Sequence, residues 1–383
     1  MQANPLWPVE KRFPSLQSDI RKDVLVVGGG MAGISSALRL KMAGFDVALI
    51  ERDEVGGPAT GASSGVLYYG SGTNLVPACG LFGEEKANKL WKETAGVIDE
   101  IVKTARDEAI DCGIRSCGSI MVGKNDGEVT EIEAEYGALK KLGLPGRLLS
   151  SSDVKDYFPL MGFRGGLAYD AVGQVHPARF ASGVARIEGL EIYEQTPLIE
   201  WKDENGGVQV KTPGGLVRAS DLVLATNAEP CFGMENHFEL ESSVILASEP
   251  TRRVRDVFPE EKIFWTMEEK YDLFYPRGDR LILELYALGE EENKLAYYFP
   301  GVEFKTEQQW GEAWSKPPDW IPIVGKVSEH VTSAIGMGDQ GIIMSWLSGS
   351  KIPMIINGGS DWFTEMASPS RFARFDQGAG QIS

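Results

Sequence analysis

The chain has 383 residues, and its 38 Lys+Arg against 55 Asp+Glu leave a formal net charge of −17. That balance repels a phosphate backbone and an anionic membrane surface, so nucleic acid is not an expected partner. With 43% apolar and 24% charged residues the composition is that of a globular protein, which excludes disorder and fibrous repeats.

The four cysteines, at positions 79, 112, 117 and 231, make no disulfide framework. Cys112 and Cys117 stand close together, but no second pair and no nearby histidine completes a zinc set, so no metal is expected. The first twenty residues hold no apolar run of the signal-peptide kind, and no stretch approaches the ~20 apolar residues of a membrane span. A cytoplasmic protein without a membrane span is the expectation.

In chain order, Asp23-Val24-Leu25-Val26-Val27 reads as a fully buried strand, and Gly28-Gly29-Gly30-Met31-Ala32-Gly33 as a turn. Ile34, Ala37, Leu38 and Leu40 are spaced for a helix that Gly44 ends, and Val47-Ala48-Leu49-Ile50 is the next strand, with Glu51 at its edge. Residues 84–111 and 127–142 read as amphipathic helices. Strands are then expected at Leu190-Glu191-Ile192-Tyr193, Val208-Gln209-Val210 and Leu216-Val217-Arg218, with a turn at Asn205-Gly206-Gly207 and a further buried strand over 221–226. Residues 242–300 read as antiparallel strands rich in aromatics, among them Leu273-Phe274-Tyr275 and Ala296-Tyr297-Tyr298-Phe299. Val331–Ile335 is a last strand, followed by a glycine-rich turn and a helix to about Ile356. Nucleotide-type segments at the start, middle and end predict two interleaved domains.

Gly28-x-Gly30-x-x-Gly33 follows a strand, opens a helix, and has an acid 18 residues beyond Gly33. Gly28 permits the tight turn, Gly30 admits a pyrophosphate against the backbone, and Gly33 lets helix and strand approach. The helix N-terminus, including Met31 and Ala32, offers amides to phosphates. Glu51 suits a ribose diol and repels a 2′-phosphate, disfavouring NADP. The spacing leaves FAD and NAD as alternatives.

Four stretches resemble the FAD-dependent amine and amino-acid oxidoreductase family, of the D-amino-acid oxidase and glycine/sarcosine oxidase type. They are the first strand–helix–strand unit with Glu51-Arg52; Thr60-Gly61-Ala62-Ser63-Ser64-Gly65; Gly173-Gln174-Val175-His176-Pro177 through Thr196-Pro197-Leu198 to Thr226-Asn227-Ala228; and 319–325 with Gly336-Met337-Gly338-Asp339-Gln340-Gly341-Ile342. The resemblance implies an α/β fold, α+β overall, with a Rossmann-like FAD-binding domain (20–80, 150–235 and 316–365) interleaved with an antiparallel-sheet substrate domain (81–149 and 236–315). It implies a small-residue loop at 60–65 along the flavin and diphosphate, adenine contact through the backbone of Leu198, and residues 336–342 facing the flavin pyrimidine. Thr226 and Asn227 join this cofactor set.

The resemblance also implies hydride transfer from the carbon beside an amine nitrogen to flavin N5. The family's flavin-linking cysteine and histidine positions, near 310–315 and 60–70, hold neither residue here; FAD is therefore expected to be non-covalent. The two arginines that hold a substrate carboxylate in amino-acid-oxidising relatives align with Trp314 and Asp339, and the oxygen-activating lysine aligns near Ile282 or Glu284. An amine or N-substituted amine is thus favoured as substrate, with an amino-acid oxidase and a non-catalytic FAD-binding subunit as alternatives. The electron acceptor stays open, tilting from oxidase towards dehydrogenase. Tyr68, Tyr69, Tyr275 and Trp314 are pocket candidates or simply core aromatics. Asp339 either attracts a substrate cation or caps the helix behind it, and no catalytic residue is assigned. His176 is expected to be structural, His237 and His330 solvated, and Arg277 and Arg280 either hairpin charges or a carboxylate clamp.

Overall fold

The computed structural model describes residues 13–204, 206–227, 237–268, 270–286 and 289–372. Asn205, Ala228 and Cys231 lie outside the described residues.

Unbroken apolar runs make central parallel strands because both faces of such a sheet are covered. Ile20–Val27 pairs in parallel with Val47–Ile50 on one side and Gly215–Leu224 on the other. Glu191–Tyr193 extends the sheet beyond Val47–Ile50, and Val331–Ile335 pairs in parallel with the end of Gly215–Leu224. The two strands expected at 216–218 and 221–226 are one continuous strand. Its first half also pairs antiparallel with Gly207–Thr212, which pairs with Glu200–Glu204. Ile323–Lys326 closes this eight-stranded sheet beside Val331–Ile335.

The helix Met31–Met42 crosses Gly341–Ile356 over small residues. A Cβ on Gly349 would come within 2.2 Å of Ser35 Oγ, and that hydroxyl donates to the Trp346 carbonyl at 3.2 Å. Glu84–Asp107 packs on the outer side of Gly341–Ile356. There Glu100 accepts from Arg39 at 2.6 Å and from the Trp346 indole at 3.3 Å.

The second sheet has eight strands, in the order Thr306–Lys316, Glu239–Ser248, Arg280–Leu285, Leu273–Arg277, Ile263–Thr266, Ser119–Gly123, Gly165–Tyr169 and Arg147–Ser150. All neighbours are antiparallel except Ile263–Thr266 with Ser119–Gly123. Gly165–Tyr169 thus belongs with the second sheet, although it falls within 150–235. Alternation sorts the side chains. Phe264, Phe274, Leu281, Leu283 and Leu285 face an aromatic core with Phe158, Phe258 and Phe299, whereas Trp265, Leu273, Tyr275 and Ile282 face the first sheet. The strand expected around 296–299 is instead the end of a helix, Glu291–Tyr298, whose Tyr298 hydroxyl reaches buried Asp272 at 2.5 Å. Aromatic content marked burial there, but not the backbone state.

The first strand and helix meet at glycines for a measurable reason. A Cβ on Gly33 would lie 1.8 Å from the Gly28 carbonyl oxygen, and one on Gly28, at φ +109°, would lie 2.4 Å from that of Ala225. Gly33→Ala should therefore force helix and strand apart and lower unfolding stability by about 1–3 kcal/mol in urea titration. An unchanged midpoint would mean the turn relaxes freely.

Candidate active site

The glycine turn sits at the carboxyl end of the first sheet, where such folds take ligands. Gly30 stands at the N-cap of Met31–Met42 without a side-chain cap, so the helix's first amides face the turn. Thr60 Oγ1 accepts from the Met31 amide at 3.0 Å, and Glu51 accepts from the Gly29 amide at 2.5 Å and from that of Asp53 at 2.7 Å. Burial raises the Glu51 carboxyl above its usual range, opposed by those two amides. Arg52 extends alongside to Asp53 at 3.1 Å. Thr226 Oγ1 is buried beside this turn with no hydrogen-bond partner, and Asn227, at φ +55°, takes the Ser315 hydroxyl at 3.2 Å. Leu198 is buried against the sheet, two residues after the Thr196 amide donates to the Glu51 carbonyl at 2.8 Å.

Residues 60–62 are the end of a short helix, Pro58–Ala62, rather than a loop. A Cβ on Gly61 would approach the Gly56 carbonyl oxygen to 2.7 Å. The following residues are clamped from the second sheet: Trp310 Nε1 donates to the Ala62 carbonyl at 2.8 Å and the Tyr275 hydroxyl to that of Ser64 at 2.7 Å. Ser63 Oγ accepts from the Gly65 amide at 3.3 Å. Tyr275 is thus a brace behind the site and does not line the cavity. Tyr69 is likewise fully buried core, stacked on Tyr68 with ring centroids 5.0 Å apart.

Between the sheets lies a cavity of about 780 Å³, lined by Ser63, Ser64, Tyr68, Trp265, Tyr271, Glu284, Trp314, Lys316, Trp320, Asp339, Gln340 and Ile342 among others. Of the pocket candidates, Tyr68, Trp314 and Asp339 are among its lining residues. Asp339 is not a helix cap: Gly341–Ile356 has Gln340 at its N-cap and no side-chain cap. Instead Asp339 Oδ2 accepts from the hydroxyls of Tyr271 at 3.1 Å and Tyr286 at 3.3 Å. Gly336 and Gly338, at φ +71° and +67°, turn the chain so that the carboxyl faces inward, and the Gly338 amide is fixed to the Ser315 carbonyl at 3.1 Å. Gly341 and Ile342 form the first turn of the helix behind it. Tyr271, Tyr286 and Trp314 form an aromatic wall with successive centroids 5.3 and 5.5 Å apart. Trp320 holds φ +59°, with its ring under the Lys316 ammonium at 4.6 Å.

The family model described as FAD dependent oxidoreductase, DAO, matches residues 23–352. The chain belongs to the DAO family. The chain is 27% identical over 372 residues to a probable oxidoreductase OrdL of Haemophilus influenzae, covering 91% of this chain and 86% of that protein. It is 24% identical over 380 residues to the gamma-glutamylputrescine oxidoreductase of Escherichia coli, covering 93% and 88%. The fold matches the glycine oxidase of Geobacillus kaustophilus with a TM-score of 0.75 at 19% identity, over 92% of this chain and all of that one. The cofactor of this DAO-family protein is FAD, and the turn suits it: glycines that tolerate no side chain, uncapped helix amides, and a carboxylate beside them.

Tyr271, Tyr286, Trp265, Lys316 and Trp320 are not among the expected pocket residues, and Glu284 enters only as one of two positions aligned with the oxygen-activating lysine. For Glu284 a signal existed: in Arg280–Leu285 the apolar residues 281, 283 and 285 define one face, so the acid shares the other with Ile282. The tyrosines carry no local signal, because each lies just outside a strand. Glu284 is only 5% exposed and accepts from Ser243 Oγ at 2.8 Å. Burial raises its carboxyl and that of Asp339, and Asp339 raises Glu284 further, whereas Ser243 and Ser64 pull Glu284 down. Neither carboxyl forms an ion pair among the described residues. Lys316, the one cationic lining residue, pairs with Glu241 at 3.1 Å.

Arg277 and Arg280 face each other across a hairpin turn with Gly278 at φ +63°, and neither lines the cavity. Arg280 binds the Ser248 carbonyl at 2.7 Å and pairs with Glu307. His237 stacks on Phe372 at 4.8 Å, and His330 is half-buried. Among the described residues no group is placed to hold a metal, Cys79, Cys112 and Cys117 are free, and no helix is long and apolar enough to cross a membrane.

His176 is the N-cap of Pro177–Ala185, its Nδ1 accepting from the Arg179 amide at 3.2 Å, so the proton of the neutral ring is on Nε2. Burial, with Arg277 and Arg179 nearby, lowers it from 6.5 to about 3. A depressed histidine contributes stability that is lost as pH falls from the unfolded value near 6.5 towards about 3. His176→Gln, which keeps an acceptor, should show a shallower loss of urea stability than the parent protein over that window. Parallel pH profiles would overturn the assignment.

Proposed function

We propose that the protein oxidises a C–N bond of a cationic amine. The observation that carries this reading is a cavity with two buried carboxyls, Asp339 and Glu284, that pair with no cation among the described residues, the lining Lys316 being engaged by Glu241. Buried charges need partners. Here the missing partner is a substrate ammonium, and the faces of Tyr271, Tyr286, Trp314 and Trp320 favour the same charge. An incoming carboxylate meets the opposite field. Glu131, Glu239 and Glu268 add to the lining, against Lys316 alone.

FAD, when bound, supplies the acceptor for the hydride that leaves the carbon beside nitrogen. On this reading the first sheet holds the cofactor, with Gly28, Gly30 and the amides of Met31–Met42 towards the diphosphate and Glu51 towards the ribose. The second sheet shapes the substrate side and excludes water with its aromatic wall. Asp339 anchors the substrate cation. The relative named for gamma-glutamylputrescine, an amine, supports the class of substrate. The amino-acid reading would need a cation for the carboxylate, and Arg277 and Arg280 both point elsewhere.

Acid precipitation of the yellow protein should release all colour to the supernatant, as non-covalent FAD requires; colour retained in the pellet would contradict it. In anaerobic titration, simple mono- and diamines should bleach the flavin, whereas glycine, sarcosine and D-alanine should not. Bleaching by those amino acids, or by no amine at all, would overturn the reading. Asp339→Asn should raise KM for the amine roughly 10- to 100-fold, the worth of a charge-assisted contact, with flavin content unchanged. Arg277→Ala should leave KM unaltered.

A further inference from the structure

The two cavity carboxyls are not equivalent. Asp339 is held by two phenolic donors, Tyr271 and Tyr286, on one oxygen, which stabilises the ionised form and fixes the group as an anchor. Glu284 receives one well-formed hydrogen bond, from Ser243 to Oε1 at 2.8 Å. Its strand places it directly in register with Ile245 and Leu273. The Ser64 hydroxyl lies close enough to favour its charged form. Ser63 and Ser64 line the same cavity and belong to the segment that runs along the flavin in the family resemblance. Glu284 thus lines the cavity beside the Ser63-Ser64 segment, held by serine hydroxyls where Asp339 is held by phenols.

We infer that Glu284 is the general base that takes the proton from the substrate ammonium before oxidation. This rests on the proposed amine-oxidising function. An amine with an ordinary ammonium pKa near that of lysine, about 10.4, is protonated in all but roughly one molecule in 2,500 at pH 7. A protonated nitrogen has no lone pair to support loss of hydride from its neighbouring carbon. The N–H bond breaks and an O–H bond forms on Glu284 Oε2: R–CH2–NH3+ and the carboxylate become R–CH2–NH2 and the carboxylic acid. Loss of hydride from the carbon then leaves R–CH=NH2+, which water hydrolyses. The proton on Glu284 passes to solvent as product leaves. Asp339 differs in holding two tyrosine hydroxyls on Oδ2, its Oδ1 being buried without a hydrogen-bond partner; Tyr271, Tyr275 and Tyr286 are raised above 10 by burial, and Lys316 is engaged by Glu241. Burial and the neighbouring Asp339 push the Glu284 carboxyl upward, towards the range where a base can both accept and release a proton.

The test is the pH dependence of anaerobic flavin reduction, measured by stopped flow on the holoenzyme with whichever amine bleaches it. The parent protein should show an acidic limb, with reduction rising as Glu284 ionises. Glu284→Gln should reduce kred/Kd at pH 7 by about 10²–10⁴, and its rate should climb with pH towards the amine's own pKa, approaching the parent near pH 10. Ser243→Ala removes a donor to the carboxylate, so it should move the acidic limb to higher pH while keeping the plateau. This milder variant serves if Glu284→Gln does not fold. Asp339→Asn should weaken binding and, by removing the neighbouring charge that raises Glu284, move the limb to lower pH. A Glu284→Gln loss equal at every pH, or an unmoved limb in Ser243→Ala, would overturn the base assignment. If no amine reduces the parent flavin, the functional reading fails instead, so the two failures are distinguishable.

Discussion

Residues 62–65 are where the two sheets become one machine. The Ala62 carbonyl takes Trp310 of the second sheet at 2.8 Å, the Ser64 carbonyl takes Tyr275 at 2.7 Å, and the Gly65 carbonyl takes the Val175 amide at 2.8 Å. Both side-chain donors are buried, so losing either would strand a carbonyl away from water. Gly65 itself, at φ +76°, lies so near the Val175 carbonyl that a Cβ would be 2.2 Å from it. The same segment begins in the short helix whose Thr60 holds the Met31 amide. A cofactor cradle on one sheet and a substrate wall on the other are thereby set at a fixed offset.

The cavity between them is electrostatically incomplete by itself. Asp339 and Glu284 are buried carboxyls, and interior carboxyls without cations are unstable as charges. The protein tolerates them through hydroxyl donors, and their charge state is then decided by what enters. This links stability and specificity. A cation gains from the site what the empty site lacks, and an anion loses.

The family resemblance implies arginines at the positions of Trp314 and Asp339 in relatives that hold a carboxylate, and a lysine near Ile282 or Glu284 in oxygen-reactive ones; this chain has an aromatic face, an acid, and a strand carrying Ile282 and Glu284. Both point to the same face of that strand, where Ile282 packs in the core and Glu284 lines the cavity.

Runs of apolar residues and the glycine spacing determined the parallel sheet and the cofactor turn, because those signals are local: a strand, a turn and a helix start are written in contiguous residues. Asp339 was visible as a candidate, but whether it capped a helix or faced a cavity depended on Tyr271 and Tyr286, some fifty to seventy positions away in sequence. Tyr69 and Tyr275 looked like pocket residues because aromatic content reports burial and not direction. The helix at Glu291–Tyr298 misled for the same reason. Which acids share a cavity, which aromatic rings wall it and which cations are already spent are sums over distant segments, and only the folded chain performs that sum.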